Sequence, residues 1–126
     1  MIYLINSSQI QNATESAEFS IKNVVSEWTA GSYLFYGNVS EINVTIKNTG
    51  ETILGDLSAQ YKITKQGHKT IEGKSTYISN VNPGEESTQD VAGYITVDQK
   101  GIFNVEITLL NGENVLDKET TTFTVE

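Results

Sequence analysis

Apolar residues recur at every second position along most of this chain. From Val39 to Lys47, Ile42, Val44 and Ile46 alternate with Asn43, Thr45 and Lys47, and Asn48-Thr49-Gly50 ends the run. Leu57, Ala59, Tyr61 and Ile63 alternate with Ser58, Gln60, Lys62 and Thr64. Phe103, Val105, Ile107 and Leu109 form a second strong row. A period of two puts successive side chains on opposite faces of a strand, one face on a core and one in water. Several such runs in one short chain predict two sheets packed face to face.

The remaining segments extend that pattern. Ala17 to Trp28 reads as a first strand, with Phe19 and Ile21 in alternation. The adjacent Val24 and Val25 break the period and predict a bulge or a switch of sheet. Ala30-Gly31-Ser32 is a turn, and Tyr33-Leu34-Phe35-Tyr36 follows as a dense apolar cluster. Lys65-Gln66-Gly67-His68-Lys69 is a hairpin-like loop. The polar segment Thr70–Ser79 suits an edge strand, where lysines and glycine discourage stray pairing. Asn82-Pro83-Gly84 ends it, because proline cannot donate to a ladder and glycine accepts positive φ. Thr88–Val97 is a further strand, with Val91, Ile95 and Val97 on one side. Asn111-Gly112 signals a hairpin, in a loop lengthened by Glu113 and Asn114. Val115–Val125 closes the domain with Phe123 and Val125 inward. The expected fold is all-β, an immunoglobulin-like β-sandwich of about seven to eight antiparallel strands over residues 16–126. Residues 1–15 read as an N-terminal stalk.

Composition narrows the function. The 126 residues suit one domain. Net charge is −8, and all eight basic residues are lysine. Nucleic-acid binding needs a basic surface and is set aside. Adhesion to an anionic membrane surface through this domain is disfavoured for the same reason. With no cysteine, disulfides, zinc-thiolate sites and thiol chemistry are excluded. No segment reaches the roughly 20 apolar residues of a membrane span. The short apolar run Ile2-Tyr3-Leu4-Ile5 reads either as the stump of a removed membrane helix or as a frayed terminus or extra edge strand.

Catalytic chemistry finds little support. The single histidine, His68, sits in a loop between lysines and reads as a solvated surface residue rather than a base. Glu85, Glu86 and Asp90 lack the cleft geometry of a carboxylate pair and read as solvated turn acids. Asp56, Asp90, Asp98 and Asp117 are too scattered for a calcium loop. The expectation is a non-enzymatic domain with no cofactor and no metal.

Binding chemistry finds more. Ile53 and Leu54 stand between two glycines, either completing the core or forming an exposed patch for a twofold homodimer. Tyr33, Phe35 and Tyr36 cannot all point inward from one strand, and outward aromatics often anchor interfaces. Trp28 is expected in the core. N-glycosylation sequons begin at Asn6, Asn12, Asn38 and Asn43.

The apolar N-terminal run, the following Ala17-Glu18-Phe19-Ser20-Ile21, the strand ending in Asn48-Thr49-Gly50 and the turn Asn82-Pro83-Gly84-Glu85 together resemble the soluble domain of archaeal flagellar (archaellum) proteins of the F/G type. Those are pilin-like proteins with one N-terminal membrane helix and an immunoglobulin-like sandwich outside the membrane. The resemblance implies a stator role, anchoring the archaellum motor to the S-layer. It implies S-layer protein and other archaellum components as partners. It also implies an extracytoplasmic place between cell membrane and S-layer, with membrane attachment only through a helix absent from this chain. The alternative is a generic cell-surface, pilin-head or adhesion sandwich that binds protein or carbohydrate, with Tyr33 to Tyr36 as the aromatic platform.

Overall fold

The computed structural model describes residues 16–31, 33–76, 78–92 and 95–126. The stalk expected at 1–15, with Asn6 and Asn12, lies outside the described residues. Among those described, eight strands pair antiparallel throughout: β1 (Ala17–Ala30), β2 (Phe35–Asn48), β3 (Leu57–Thr64), β4 (Ile71–Ser75), β5 (Glu86–Asp90), β6 (Ile95–Val97), β7 (Gly101–Asn111) and β8 (Asn114–Val125). They form two four-stranded sheets. In the first, β2 pairs with β1 on one side and with β5 and β6 on the other. The second runs β4-β3-β7-β8. The fold is a β-sandwich. No helix among the described residues is long and apolar enough to cross a membrane.

The alternation in the sequence is the cause of this packing. Ile42, Val44 and Ile46 of β2 and Phe103, Val105, Ile107 and Leu109 of β7 are fully buried in one core. Their neighbours Asn43, Thr45 and Lys47 face outward. The polar segment at 71–75 is indeed an edge strand, paired only with β3. Register shifts between Ile21 and Asn23 and between Val25 and Ser26 flank the Val24-Val25 break.

Two expectations need correction. Thr88–Val97 is not one strand but two, β5 and β6. Asp90 Oδ1 accepts the N–H groups of Ile42 at 2.9 Å and Ala92 at 2.8 Å, which turns the chain out of the ladder. Val91, Ile95 and Val97 are all buried, so the period of two runs through the interruption and hides it. The β7–β8 hairpin is also tighter than expected. Asn111 pairs with Asn114, leaving only Gly112 and Glu113 in the turn, and Gly112 takes a φ of 58° that suits glycine.

The sandwich has two distinct ends. At the entry end, Ser16 leads into β1, its Oγ 2.8 Å from Thr49 Oγ1. Here Asn48 is fully buried. Its Nδ2 donates to the carbonyls of Thr52 at 2.7 Å and Val81 at 2.8 Å, and its Oδ1 accepts the Gly50 N–H at 2.9 Å. Its backbone pairs with Gly84 and Glu85. The Asn-Thr-Gly and Asn-Pro-Gly-Glu segments therefore meet in one joint. At the opposite end, the hairpin end, lie the β1–β2 connection, the β3–β4 loop and the β6–β7 turn.

Candidate binding surface

The β1–β2 hairpin carries the most exposed apolar cluster in the molecule's described surface. Ala30 pairs with Phe35, and Gly31 N–H bonds to the Leu34 carbonyl at 2.7 Å, so Tyr33 and Leu34 stand at the tip of the hairpin. Tyr33 is 94% exposed, Leu34 66% and Phe35 61%. Alternation alone does not explain this exposure, since Phe35 falls in phase with the inward residues of β2. Gly37 and Val39 take the inward positions, and a side chain at Gly37 would collide with Val97 and Val125. The aromatic cluster thus lies beyond the point where the two sheets close on each other.

Beneath the tip, the β3–β4 loop and the β6–β7 turn are fastened together. His68 is the fastener, and its side chain is 5% exposed. This corrects the reading of a solvated loop histidine. The ring packs edge-on against Phe103 at 5.2 Å between centroids, and Phe103 stacks on Phe123 at 5.4 Å. His68 Nδ1 donates to the Lys69 carbonyl at 2.6 Å. Asp98 closes on Nε2, its Oδ1 at 2.8 Å and its backbone nitrogen at 3.3 Å, one serving as the hydrogen-bond partner at a time. Gln99 Nε2 adds a bond to the Gly67 carbonyl at 3.2 Å. Core packing on one side and the Asp98 and Gln99 contacts on the other hold these loops in one arrangement.

The fastened loops present three lysines. Lys65 lies against Gly101, Lys69 flanks His68, and Lys100 Nζ stands 5.4 Å from the centroid of the Trp28 ring. Trp28 is half-buried rather than fully in the core, because its ring lies at this rim and covers the core edge. Tyr36, also half-buried, does not join Tyr33 and Phe35. It lines a cleft of about 470 Å³ that runs along the fastened loops, with His68, Lys69, Thr70, Glu72, Thr96 and Asp98.

The other expected site residues scatter. Ile53 is 58% exposed but belongs to the entry end. Leu54 is fully buried and bridges Val81 through a pair of backbone bonds of 2.9 and 3.0 Å. This corrects the two-residue patch: one of its members is core. Asn38 and Asn43 sit half-buried on the outer face of β2, a strand with neighbours on both sides. Asn43 Nδ2 donates to Asn23 Oδ1 at 3.1 Å. Asp90 is the strand-ending acceptor described above, and Glu85 Oε1 accepts from Asn82 Nδ2 at 2.7 Å. Both acids remain exposed, as the sequence suggested, while making these bonds. Among the described residues no three metal-ligating side chains converge.

No protein-family model and no curated protein sequence matches the chain. Solved structures similar to it include the following two. One is a β-glucuronidase of Bacteroides uniformis, with a TM-score of 0.53 and 15% identity over 87% of this chain. This chain spans only 13% of that enzyme's length. The other is a protein from Archaeoglobus fulgidus, with a TM-score of 0.46 and 15% identity over 85% of this chain and 98% of that one. At this identity the likeness extends to the β-sandwich fold and to no family.

Proposed function

We propose that this domain is a non-enzymatic binding module whose partner docks on the hairpin end. The observation that carries the reading is the run Tyr33-Leu34-Phe35, exposed together on a projecting tip. Contiguous exposed apolar side chains on a folded domain favour contact with another macromolecule. The tip also lies at the end opposite Ser16, so the chain enters at one end and the apolar cluster stands at the other. That arrangement suits a domain tethered at its N-terminus and reaching outward.

The resemblance to archaellum proteins of the F/G type extends the proposal. On that reading the domain lies between cell membrane and S-layer, tethered by a membrane helix preceding residue 1. The hairpin end holds S-layer protein and transmits the reaction torque of the motor. Such a role needs a rigid fold, a tether and a sticky face, and no bond-making chemistry. The test is saturable binding of the domain to isolated S-layer protein, with a charge-matched sandwich as control. Binding equal to the control sinks the stator reading.

A second reading rests on the cleft at Tyr36. An aromatic wall beside the hydroxyls of Thr70 and Thr96 suits a sugar ring in an adhesion module. Glycan binding that is lost in Tyr36→Ala supports it, and glycan binding indifferent to Tyr36 removes it.

A further inference from the structure

We infer that the outer face of the second sheet binds a neutral saccharide, in a trough of about 700 Å³ centred on Thr108. The site is independent of the docking face proposed above, and it shares only Glu72 with the cleft at Tyr36. Strand register builds it. Lys74, Gln60, Thr108 and Lys118 form one row across β4, β3, β7 and β8. Glu72, Lys62 and Glu106 form the next. Val105, Ile107 and Leu109 take the inward positions of β7, so Glu106 and Thr108 point away from the core. At strand spacing the first row spans about 14 Å, and a trough of that length and volume accepts a short oligosaccharide.

Thr108 carries the inference. An outward residue of a two-layer sandwich is expected in solvent, yet Thr108 is only 9% exposed. It is sunk between longer side chains, with Gln60 and Lys118 flanking it in its row. Its hydroxyl bonds to no protein group among the described residues. No fully buried polar side-chain atom among them lacks a partner, so this hydroxyl opens into the trough that Thr108 lines. A hydroxyl held largely out of bulk water, without a protein partner, is a donor and acceptor free for a ligand.

The flanking groups decide the ligand's chemistry. Three ammonium groups, of Lys62, Lys74 and Lys118, stand against the carboxylates of Glu72 and Glu106. Lys118 Nζ lies 3.6 Å from Glu106 Oε1, so a donor and an acceptor stand side by side. An anionic ligand meets the carboxylates, and a cationic one meets the ammonium groups. A hydroxyl accepts from an ammonium and donates to a carboxylate equally well, and neighbouring hydroxyls of one sugar ring do both at this pair. The Gln60 amide offers a donor and an acceptor in the same way. Val115, 61% exposed, lines the same trough and gives the C–H face of a ring an apolar edge.

The test follows backbone amide shifts of the isotope-labelled domain by NMR. The ligands are mannotriose, cellotriose and maltotriose, with trigalacturonate and the glucosamine trimer as acidic and basic arms. At least one neutral trisaccharide is expected to bind saturably, with shifts concentrated at 60–62, 106–108 and 118. Added salt is expected to change its affinity by less than about twofold, because a neutral ligand brings no charge to screen. Thr108→Val keeps the side-chain shape, removes the hydroxyl and is expected to weaken binding at least about fivefold. Gln60→Ala, at an exposed strand position, is expected to weaken it at least about threefold and serves should Thr108→Val misfold. No saturable shift with any of the three neutral trisaccharides overturns the inference, as does tighter binding of either charged trimer. Binding that survives Thr108→Val and is lost in Tyr36→Ala also overturns it and moves the sugar to the Tyr36 cleft. Docking of S-layer protein rests on other residues, so failure of either proposal leaves the other standing.

Discussion

Asn48 shows how a polar side chain can govern a β-sandwich from inside. Both of its amide donors and its carbonyl oxygen are engaged at the entry end, on Thr52, Val81 and Gly50. A buried amide so satisfied holds two connections together, and its removal leaves carbonyls and an N–H without partners. Asn48→Ala is expected to cost about 2–4 kcal/mol in urea unfolding; a loss below about 1 kcal/mol would contradict the joint. His68 is the counterpart at the hairpin end. His68→Ala removes the edge contact on Phe103 and the link to Asp98, for about 2 kcal/mol. Hydrogen exchange is expected to rise in both the 65–70 loop and the 98–100 turn. A rise confined to the first would show that the two loops are not fastened. The sequence made Asn48 visible only as part of a turn signal, and His68 only as a loop residue. Burial of a polar side chain depends on what the opposite sheet brings to it, and local composition carries no trace of that. Ile53 and Leu54 make the same point, since adjacent residues of like hydropathy separate into solvent and core.

Strands were the legible elements. The rows at 42–46 and 103–109 fold as their alternation requires, because one face of each strand must leave water. The illegible features are those that preserve the period while interrupting the ladder. The step after Asp90 is one, with buried positions in phase on both sides of it. A packing feature of the second sheet is likewise hidden. Gly73 pairs with Tyr61 across β4 and β3, and a Cβ at Gly73 would overlap the Tyr61 ring. The absence of a side chain there is what lets the tyrosine lie across the edge strand. Gly73→Ala is expected to destabilise by about 1–3 kcal/mol through that collision. In a double-mutant cycle with Tyr61→Leu the penalty is expected to fall by more than half, since the smaller side chain vacates the space. Equal penalties in both backgrounds would assign the cost to the backbone instead.

At the scale of the molecule, the two ends of the sandwich differ in what they expose. One receives the chain at the Asn48 joint and exposes Ile53. The other projects Tyr33, Leu34 and Phe35 above the fastened loops. The sequence flagged Tyr33 and Phe35 because three neighbouring aromatics exceed what one inward face holds. It gave no sign of the fastening beneath them, which joins two turns that are distant in the chain. It also placed Ile53 on equal footing with the aromatics, and the fold puts the two at opposite ends. That separation permits a direct test, because Phe35 and Ile53 are about equally exposed, at 61% and 58%. Binding to isolated S-layer protein should be measured for the parent domain, Phe35→Ser and Ile53→Ser, after unfolding curves confirm equal stability. The account predicts at least about a tenfold loss of affinity for Phe35→Ser, the scale of a contact worth about 1.4 kcal/mol, and no change for Ile53→Ser. Loss in Ile53→Ser with Phe35→Ser unaffected would place the docking face at the entry end and contradict the account.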